Sequence, residues 1–187
     1  MKNILIDILI QNPIIPAVRN NDSLNLAINS NCKFIFLLHS NILSINNEIN
    51  LIKKHDKLCF VHIDLIEGLG KDDIGILYLK NIGVDGIIST KNNLISFAKE
   101  IGLLTIHRIF LLDSLSIESG IKITNNSQPD FIEVLPGVIP KAISLINNRI
   151  PIPIIAGGMI NTKEEVINAL KSGAIAISTS KLNLLDI

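Results

Sequence analysis

Short apolar runs recur along the chain, with amphipathic stretches between them. The runs are nearly continuous in apolar residues, which is typical of parallel strands that are buried on both faces. We predict eight strands, at Ile14–Val18, Phe34–Leu38, Leu58–Asp64, Gly86–Thr90, Leu103–Ile109, Phe131–Leu135, Ile152–Ala156 and Ala174–Ser178. The clearest intervening helices are predicted at Asp72–Asn81, Asn92–Ile101, Lys141–Asn148 and Thr162–Ser172.

Local signals mark where several of these helices begin and end. Gly83, Gly102 and Gly173 each come just before a predicted strand, at the position where glycine commonly ends a helix. Thr162 and Glu165 match the capping box, in which each side chain bonds the other residue's backbone N–H. These signals support the alternation of helix and strand.

The alternation from one end of the chain to the other predicts an α/β fold. Eight strand–helix units in 187 residues leave about 23 residues per unit, so we predict a compact (β/α)8 TIM-type barrel with minimal loops. A doubly wound open sheet also alternates, but eight strands and a glycine pair after the seventh favour the barrel. We predict one domain over residues 1–187, with residues 1–11 as a lead-in that closes the barrel floor.

Composition limits the classes of function. Apolar residues make up 48% of the chain and charged residues 18%, which predicts a large core and excludes a disordered chain. The formal net charge is zero, whereas dedicated nucleic-acid-binding proteins usually carry a basic balance. RNA binding would therefore need a local patch. The densest basic cluster is the run from Lys53 to Lys57, although such runs are usually solvated faces.

The cysteines and the hydropathy of the chain indicate the cellular compartment of the protein. Cys32 and Cys59 lie in or beside apolar runs without metal-ligand spacing, so we expect reduced core residues. No uninterrupted apolar run approaches the length needed to cross a membrane. We therefore predict a cytoplasmic protein with no membrane partner.

The loops after the seventh and eighth strands carry the strongest functional signal. Gly157 and Gly158 end the seventh strand, and Ser178, Thr179 and Ser180 end the eighth. Consecutive glycines let an anion approach backbone N–H groups, and these two loops are the usual phosphate site of a (β/α)8 barrel. We predict that these five residues bind a phosphate group. The alternative is a tight packing turn between strand and helix.

Polar side chains gather at other predicted strand ends. Two of the three arginines, Arg19 and Arg108, lie there, and guanidinium groups suit phosphate and carboxylate recognition. Glu133 on the sixth strand either faces a ligand or pairs structurally with an arginine. His62 and Asp64 share one face of the third predicted strand because side chains alternate along a strand. Whether this pair binds ligand, binds metal or only braces the barrel stays open.

No complete catalytic set can be assembled from these residues. A Schiff-base aldolase needs a desolvated lysine inside the barrel, and no lysine lies within a predicted strand. A metal-dependent pentose-phosphate epimerase could begin its set with His39, His62 and Asp64, but Ala156 stands where that family expects aspartate. The alternatives kept are a phospho-sugar isomerase, epimerase or lyase, and a metabolite-binding barrel that signals to a protein partner.

Seven segments together resemble the glycerol uptake operon antiterminator family of bacterial regulators. They are residues 14–20, 61–69, 85–91, 103–114, 128–141, 153–160 and 174–180. The strings VHIDLIEG and IEVLPGVIP are long enough to be specific, whereas the glycine pair alone would not be. The resemblance covers nearly the whole chain, in order.

The resemblance implies a barrel that binds the effector glycerol 3-phosphate. We expect a non-enzymatic protein without a cofactor, a catalytic residue or a metal site. When loaded, it would act on the leader mRNA of glycerol genes to prevent early transcription termination. The five glycine and hydroxyl residues after the last two strands would hold the phosphate. Arg19, Asp64, Arg108 and Glu133 would surround the glycerol moiety or neutralise charge, roles that we infer from strand position. A homo-oligomer is left open.

Two positions depart from the family pattern. His107 stands where glutamine is expected, and Asn161 follows the seventh strand where a basic residue is common. The second departure argues against an extra cationic contact to the phosphate. Aromatic residues make up only 4% of the chain, which gives little sign of stacking platforms for bases. The expectation of RNA binding therefore rests on the resemblance alone.

Overall fold

A computed structural model describes residues 2–185 and shows a closed barrel of eight parallel strands. The barrel strands are β1 Ile14–Val18, β2 Phe34–Leu37, β3 Leu58–His62, β4 Gly86–Ser89, β5 Leu104–Phe110, β6 Phe131–Leu135, β7 Ile154–Gly157 and β8 Ala174–Thr179. The helices are α1 Lys2–Gln11, α2 Asn21–Asn29, α3 Ile45–Lys54, α4 Asp73–Asn81, α5 Asn92–Glu100, α6 Ser114–Ser127, α7 Pro140–Asn147 and α8 Lys163–Lys171. Two 3-10 turns, Ile63–Leu65 and Leu182–Leu184, and a two-stranded sheet of Ser40–Asn41 with Ile66–Glu67 complete the description.

Strand pairing confirms the predicted (β/α)8 barrel. Each strand pairs with its neighbours in chain order, and β1 closes the barrel on β8, where Ile14 lies opposite Ile177. An open doubly wound sheet would leave β1 and β8 apart. Most predicted boundaries agree with the observed ones to within a residue. Strand β7 begins two residues later than predicted, after Pro151 and Pro153, which lack the N–H that a strand ladder uses.

One predicted boundary is wrong in a way that affects the site. The third strand was expected to run to Asp64, but β3 ends at His62 and the chain turns through a 3-10 turn over Ile63–Leu65. Asp64 accepts hydrogen bonds from residues at the end of β4, which holds the chain out of the strand ladder. His62 and Asp64 therefore do not share a strand face by alternation.

The predicted helix signals are confirmed. Gly83, Gly102 and Gly173 each follow a helix with φ between +84° and +109°, the left-handed geometry expected at that position. Thr162 and Glu165 form the reciprocal capping box at the start of α8. These stops keep the loops short and bring each strand directly back into the barrel.

The barrel interior is filled by aromatic and aliphatic side chains near its amino end. Phe34, Phe36 and Phe60 are buried there, and the rings of Phe34 and Phe60 stack at 5.5 Å between centroids. Leu5 and Leu9 of α1 join the same cluster. Residue 1 of the expected lead-in and residues 186–187 lie outside the described residues. The single-domain assignment over residues 1–187 stays a prediction.

The basic run that begins at Lys53 is only partly a solvated face. Lys53 forms a salt bridge to Asp85, with Nζ 2.7 Å from Oδ1. Lys57 is buried, and its Nζ donates to the carbonyl oxygens of Ser30 and Cys32 at 2.7 and 2.6 Å. Burial lowers the pKa of Lys57. Two of the three lysines are thus committed to internal contacts, which weakens this run as an RNA surface.

The cysteine prediction agrees with the structure, since Cys32 and Cys59 are both buried. Burial raises the pKa of the Cys59 thiol, and the nearby Asp85 carboxylate raises it further. Such a thiol is a poor nucleophile. Over residues 2–185, none of the helices combines the length and apolar character that a membrane crossing requires.

Candidate functional site

The carboxyl ends of the strands enclose a cavity of about 100 Å³ between β1, β5, β6, β7 and β8. We call it the mouth cavity. Seven of the nine predicted site residues line it, namely Arg19, Arg108, Glu133, Gly158, Ser178, Thr179 and Ser180. The other two, Gly157 and Asp64, are not among its lining residues. The barrel thus brings together groups that are up to 161 residues apart in the sequence.

A buried ion pair forms one wall of the mouth cavity. The strand register places Arg108 of β5 beside Glu133 of β6, and Arg108 Nε donates to Glu133 Oε2 at 2.6 Å. Ser178 of β8 donates its hydroxyl to the other carboxylate oxygen, Oε1. Arg108 is 8% exposed and Glu133 is 1% exposed. Burying a charge is costly without a partner, so the two groups depend on each other.

The guanidinium of Arg108 still has unused donors. Only its Nε is bonded within residues 2–185, and Glu133 accepts that bond. Because Arg108 lines the mouth cavity, its terminal nitrogens remain for a ligand. The sequence left open whether Glu133 faces a ligand or pairs with an arginine, and the structure shows features of both. Glu133 pairs with Arg108, and both line the cavity.

Gly157 has a packing role that sequence reasoning missed. A Cβ atom at this position would lie 2.4 Å from Ser178 Oγ and 2.6 Å from Glu133 Oε1. Real Cβ atoms do not come so close, so only glycine leaves room for the hydrogen bond between Ser178 and Glu133. A part for Gly157 in phosphate binding stays a prediction.

The loop after β7 presents backbone donors to the cavity. Gly158 and Met159 both adopt left-handed backbone conformations, with φ of +74° and +63°. The amides of Met159 and Ile160 donate no hydrogen bond to any other residue between positions 2 and 185. Successive N–H groups in such a turn form a concave anion-binding surface. Met159 was not among the predicted site residues, because a methionine gives no sequence signal for positive φ.

The three hydroxyl residues at the end of β8 do not play equal parts. Ser178 is engaged with Glu133, and Thr179 Oγ1 donates to the carbonyl of Ile160 while accepting from the Lys181 amide, both at 3.0 Å. Ser180 is exposed, lines the cavity and makes no side-chain hydrogen bond within the described chain. Of these hydroxyls, only that of Ser180 is available without breaking an existing bond.

Two backbone amides at the start of helix α8 are already bonded to the carboxylate of Glu165. Glu165 accepts hydrogen bonds from the backbone amides of Asn161 and Thr162 at 2.7 and 3.0 Å. The bond from Asn161 is the main cause that lowers the pKa of Glu165. The Asn161 side chain donates to the Met159 carbonyl at 2.7 Å. An anion at the mouth would therefore meet the amides of Met159 and Ile160 before the helix terminus.

Asp64 lies apart from the mouth cavity and braces β4. It accepts bonds from the Ser89 hydroxyl at 3.0 Å and from the Thr90 amide at 2.8 Å. His62 is 3% exposed, and its Nδ1 lies 3.7 Å from Asp64 Oδ2, beyond hydrogen-bond distance. Burial, followed by the positive charge of Arg108, lowers the pKa of His62 to about 4. His62 is therefore neutral at pH 7.

His107, where the resemblance predicts glutamine, is also buried beside β4. Its Nε2 lies 3.4 Å from the carbonyl oxygen of Thr90, and burial lowers its pKa. In residues 2–185 there is no group of three or more histidine, cysteine, aspartate or glutamate side chains arranged to hold a metal ion.

Arg19 is the least constrained charged residue of the site. Its backbone amide donates to the hydroxyl of Ser23, which fixes the chain at the end of β1. Its guanidinium makes no ion pair or hydrogen bond with another residue of the described range. Arg19 lines the mouth cavity and a second cavity of about 350 Å³ at the starts of α2 and α3. It also borders a shallow depression that includes Leu65 and Glu67.

The chain matches a protein-family model and a protein of Escherichia coli over most of its length. A family model described as "Glycerol-3-phosphate responsive antiterminator" matches residues 14–185. The chain is 42% identical to the Escherichia coli (strain K12) protein named "Uncharacterized protein YgcP" over 177 residues, which cover 94% of this chain and 93% of that protein.

Two solved structures share both sequence and fold. The glycerol uptake operon antiterminator regulatory protein from Listeria monocytogenes is 36% identical with a TM-score of 0.86, over 89% of this chain and 91% of that one. A glycerol uptake operon antiterminator-related protein from Thermotoga maritima is 35% identical with a TM-score of 0.85, over 94% and 99%.

Barrel enzymes are more distant. The N-acetylmannosamine-6-phosphate 2-epimerase from Clostridium perfringens is 18% identical with a TM-score of 0.71, over 95% of this chain and 90% of the enzyme. At this identity the likeness shows a shared fold and nothing about activity.

Proposed function

Because this chain belongs to the glycerol-3-phosphate responsive antiterminator family, we propose that it binds glycerol 3-phosphate in the mouth cavity. With the ligand bound, it prevents early transcription termination on the leader mRNA of glycerol uptake genes. The observation that carries the ligand assignment is the convergence of seven predicted residues on one cavity. The cavity combines backbone N–H donors, a free hydroxyl and two guanidinium groups, which together suit a small phosphorylated alcohol.

We expect two groups of residues to share the ligand. The phosphate would accept bonds from the amides of Met159 and Ile160, the hydroxyl of Ser180 and the guanidinium of Arg19. The glycerol hydroxyls would lie against the terminal nitrogens of Arg108 and the remaining lone pairs of Glu133. A cavity of about 100 Å³ is small compared with most small-molecule sites, which favours a three-carbon ligand.

We propose a regulatory and not a catalytic role. Arg108 and Glu133 hold each other as a buried pair, and Ser178 is bonded to that pair. His62 is neutral at pH 7 and does not line the mouth cavity. Among the described lining residues, the one carboxylate is that of Glu133, and Arg108 and Ser178 already engage it. General acid–base catalysis requires a group beside the ligand that is free to transfer a proton. The protein would bind its ligand without turning it over.

Regulation follows if the RNA-competent state binds the ligand more tightly than the other state. A 100-fold preference shifts the balance by about 2.7 kcal/mol, which is enough to change RNA occupancy strongly. The loop from Gly158 to Asn161 is the segment we expect to respond, because it carries the unpaired amides. Action on nascent leader RNA would take place in the cytoplasm.

Arg19→Ala tests the ligand site without disturbing the fold. Loss of a charge-assisted contact should weaken glycerol 3-phosphate binding by roughly 10- to 100-fold, measured by isothermal titration calorimetry. Arg149→Ala is the matched control, because Arg149 pairs with the exposed Glu118 and lines neither the mouth cavity nor the 350 Å³ cavity. Unchanged affinity of the Arg19 variant would show that the ligand binds elsewhere.

RNA binding is tested with the same protein preparation. Leader RNA binding is measured by filter retention with and without glycerol 3-phosphate, and tighter binding with the ligand is expected. RNA binding in neither condition, with ligand binding confirmed, would favour a sensor that signals to a protein partner. Steady turnover of triose or pentose phosphates would instead favour a phospho-sugar isomerase, epimerase or lyase.

A further inference from the structure

The cavity of about 350 Å³ at the starts of α2 and α3 shares one described lining residue, Arg19, with the proposed glycerol 3-phosphate site. We call it the α2–α3 cavity. Its size falls within the range of small-molecule sites, and much of its lining is polar. The polar groups come from the residues that follow β1 and β2 and from the start of α3, namely Asn20, Asn21, Ser40, Asn41, Ser44 and Glu48.

Glu48 gives this cavity an unsatisfied acceptor. Its Oε2 is buried and has no hydrogen-bond partner in the structure. Buried polar atoms of native proteins are nearly always paired, so an unpaired carboxylate oxygen in a cavity wall needs an explanation. This oxygen is closed off from the cavity as it stands, so a ligand that brings N–H groups would supply the missing bond by drawing the carboxylate of Glu48 into the cavity.

The amide side chains of the cavity supply donors. Asn41 accepts the backbone amides of Leu43 and Ser44 through its Oδ1. Asn20 accepts the Ser23 amide through its Oδ1. The oxygen of each amide is thus occupied, and the Nδ2 groups remain as donors. The cavity therefore combines one carboxylate acceptor with amide donors.

Among nucleic-acid bases, guanine matches this combination best. Its Watson–Crick edge carries two adjacent N–H donors beside a carbonyl acceptor, so the carboxylate can accept twice while an amide donates to the carbonyl. Adenine and cytosine would present a ring-nitrogen lone pair on the same edge, and uracil has a single N–H there. Unstacked bases of single-stranded RNA are read in this way and are often stacked on arginine or histidine. Arg19 and His39 both line the cavity.

We propose that the α2–α3 cavity binds an unpaired guanine base of leader RNA, with Glu48 as the acceptor for its N–H groups. The inference rests on the proposed antiterminator function and adds the place and the base that are recognised. Arg19 lines this cavity as well as the mouth cavity, so a ligand in either one meets the same guanidinium.

Nucleoside titration tests the cavity independently of RNA. Guanosine is added to the full-length protein and followed by NMR chemical shifts; it lacks a phosphate and so does not compete for the mouth cavity. Shifts are expected at Asn41, Ser44 and Glu48. Inosine, which lacks the exocyclic amine, should bind about tenfold more weakly. Equal shifts with adenosine, or none with guanosine, would overturn the assignment.

Glu48→Gln tests the cavity in leader RNA binding, and Glu67→Gln is its matched control. Both remove one negative charge near the mouth, but Glu67 lines only the neighbouring shallow depression. Glu48→Gln should weaken leader RNA binding about tenfold or more and leave glycerol 3-phosphate affinity unchanged. Glu67→Gln should leave RNA binding unchanged.

The outcomes separate the two proposals. Equal RNA binding by the wild-type protein and the Glu48 variant would overturn this inference and leave the antiterminator function standing. No RNA binding by the wild-type protein would contradict the proposed function, and guanosine binding would then assign the cavity to a free nucleoside and not to RNA.

Discussion

Two sets of charged side chains lie at the same end of the barrel and differ in how they are satisfied. Arg108 and Glu133 are buried, sit opposite each other on neighbouring strands and form an ion pair. Arg19 and Glu48 follow strands or begin helices, line cavities and have no described ion-pair partner. The charges of the first set neutralise each other within the protein, whereas those of the second set have no partner among the described residues.

The difference follows from what each set is built on. Strand register holds Arg108 and Glu133 in fixed positions, so their pairing is part of the folded state and its loss would leave a buried charge. Arg19 follows β1 and Glu48 lies in the first turn of α3, so strand register fixes neither of them against a partner. Internal hydrogen bonds therefore separate charges that also brace the site from charges that have no structural partner.

The strongest test breaks the internal pair. Arg108→Ala removes the partner of Glu133, and we expect the free energy of unfolding to fall by about 3–5 kcal/mol because an uncompensated charge stays buried. Urea denaturation measures the change. The double variant with Arg108→Met and Glu133→Leu should recover most of the loss, because apolar groups can replace a buried ion pair. A loss below about 1 kcal/mol in the single variant would show that Glu133 reaches water.

The next test measures how the free energy of unfolding depends on pH, through the buried His62 beside Arg108. The pKa of His62 is about 4 in the folded protein, against 6.5 in an unfolded chain, so the unfolded state binds more protons between those values. Stability should be complete above pH 6.5 and fall as pH decreases towards 4, by up to about 1.4 kcal/mol per unit. Denaturation at pH 7, 6 and 5 measures this slope, and His62→Gln should reduce it. The same slope in the variant would assign the effect to other groups.

The smallest effect is expected for the two charges without an internal ion-pair partner. Arg19→Ala and Glu48→Gln remove charges that have no internal ion-pair partner, so each should change the free energy of unfolding by no more than about 0.5 kcal/mol. The denaturation protocol used for Arg108→Ala measures both. A loss of 2 kcal/mol or more in either variant would place that residue with the bracing set.

The sequence predicts the fold well because the signals for it are local. Alternating apolar runs and helix-ending residues such as Gly83 identify the strand–helix units, and short connections then leave a closed barrel as the compact arrangement. The same logic predicts that Arg19 and Arg108 lie at one end, because the carboxyl ends of parallel strands share one edge.

The internal bonding of the site could not be predicted in the same way. Whether Ser178 faces a ligand or Glu133 depends on strand register, which no local pattern encodes. Asp64 leaves its strand because groups at the end of β4 hold its carboxylate, a contact between distant parts of the sequence. The left-handed conformation of Met159 has no local sequence signal either.

The isolation of Arg19 has an entropic consequence. A free arginine side chain samples many rotamers, and fixing it costs about 2 kcal/mol of rotamer entropy. A ligand that orders Arg19 from the mouth cavity incurs that cost once, and a base entering the α2–α3 cavity then meets a guanidinium that is already fixed. Binding at the two cavities can thus become cooperative without any movement of the backbone. By linkage, the base would favour glycerol 3-phosphate by the same factor.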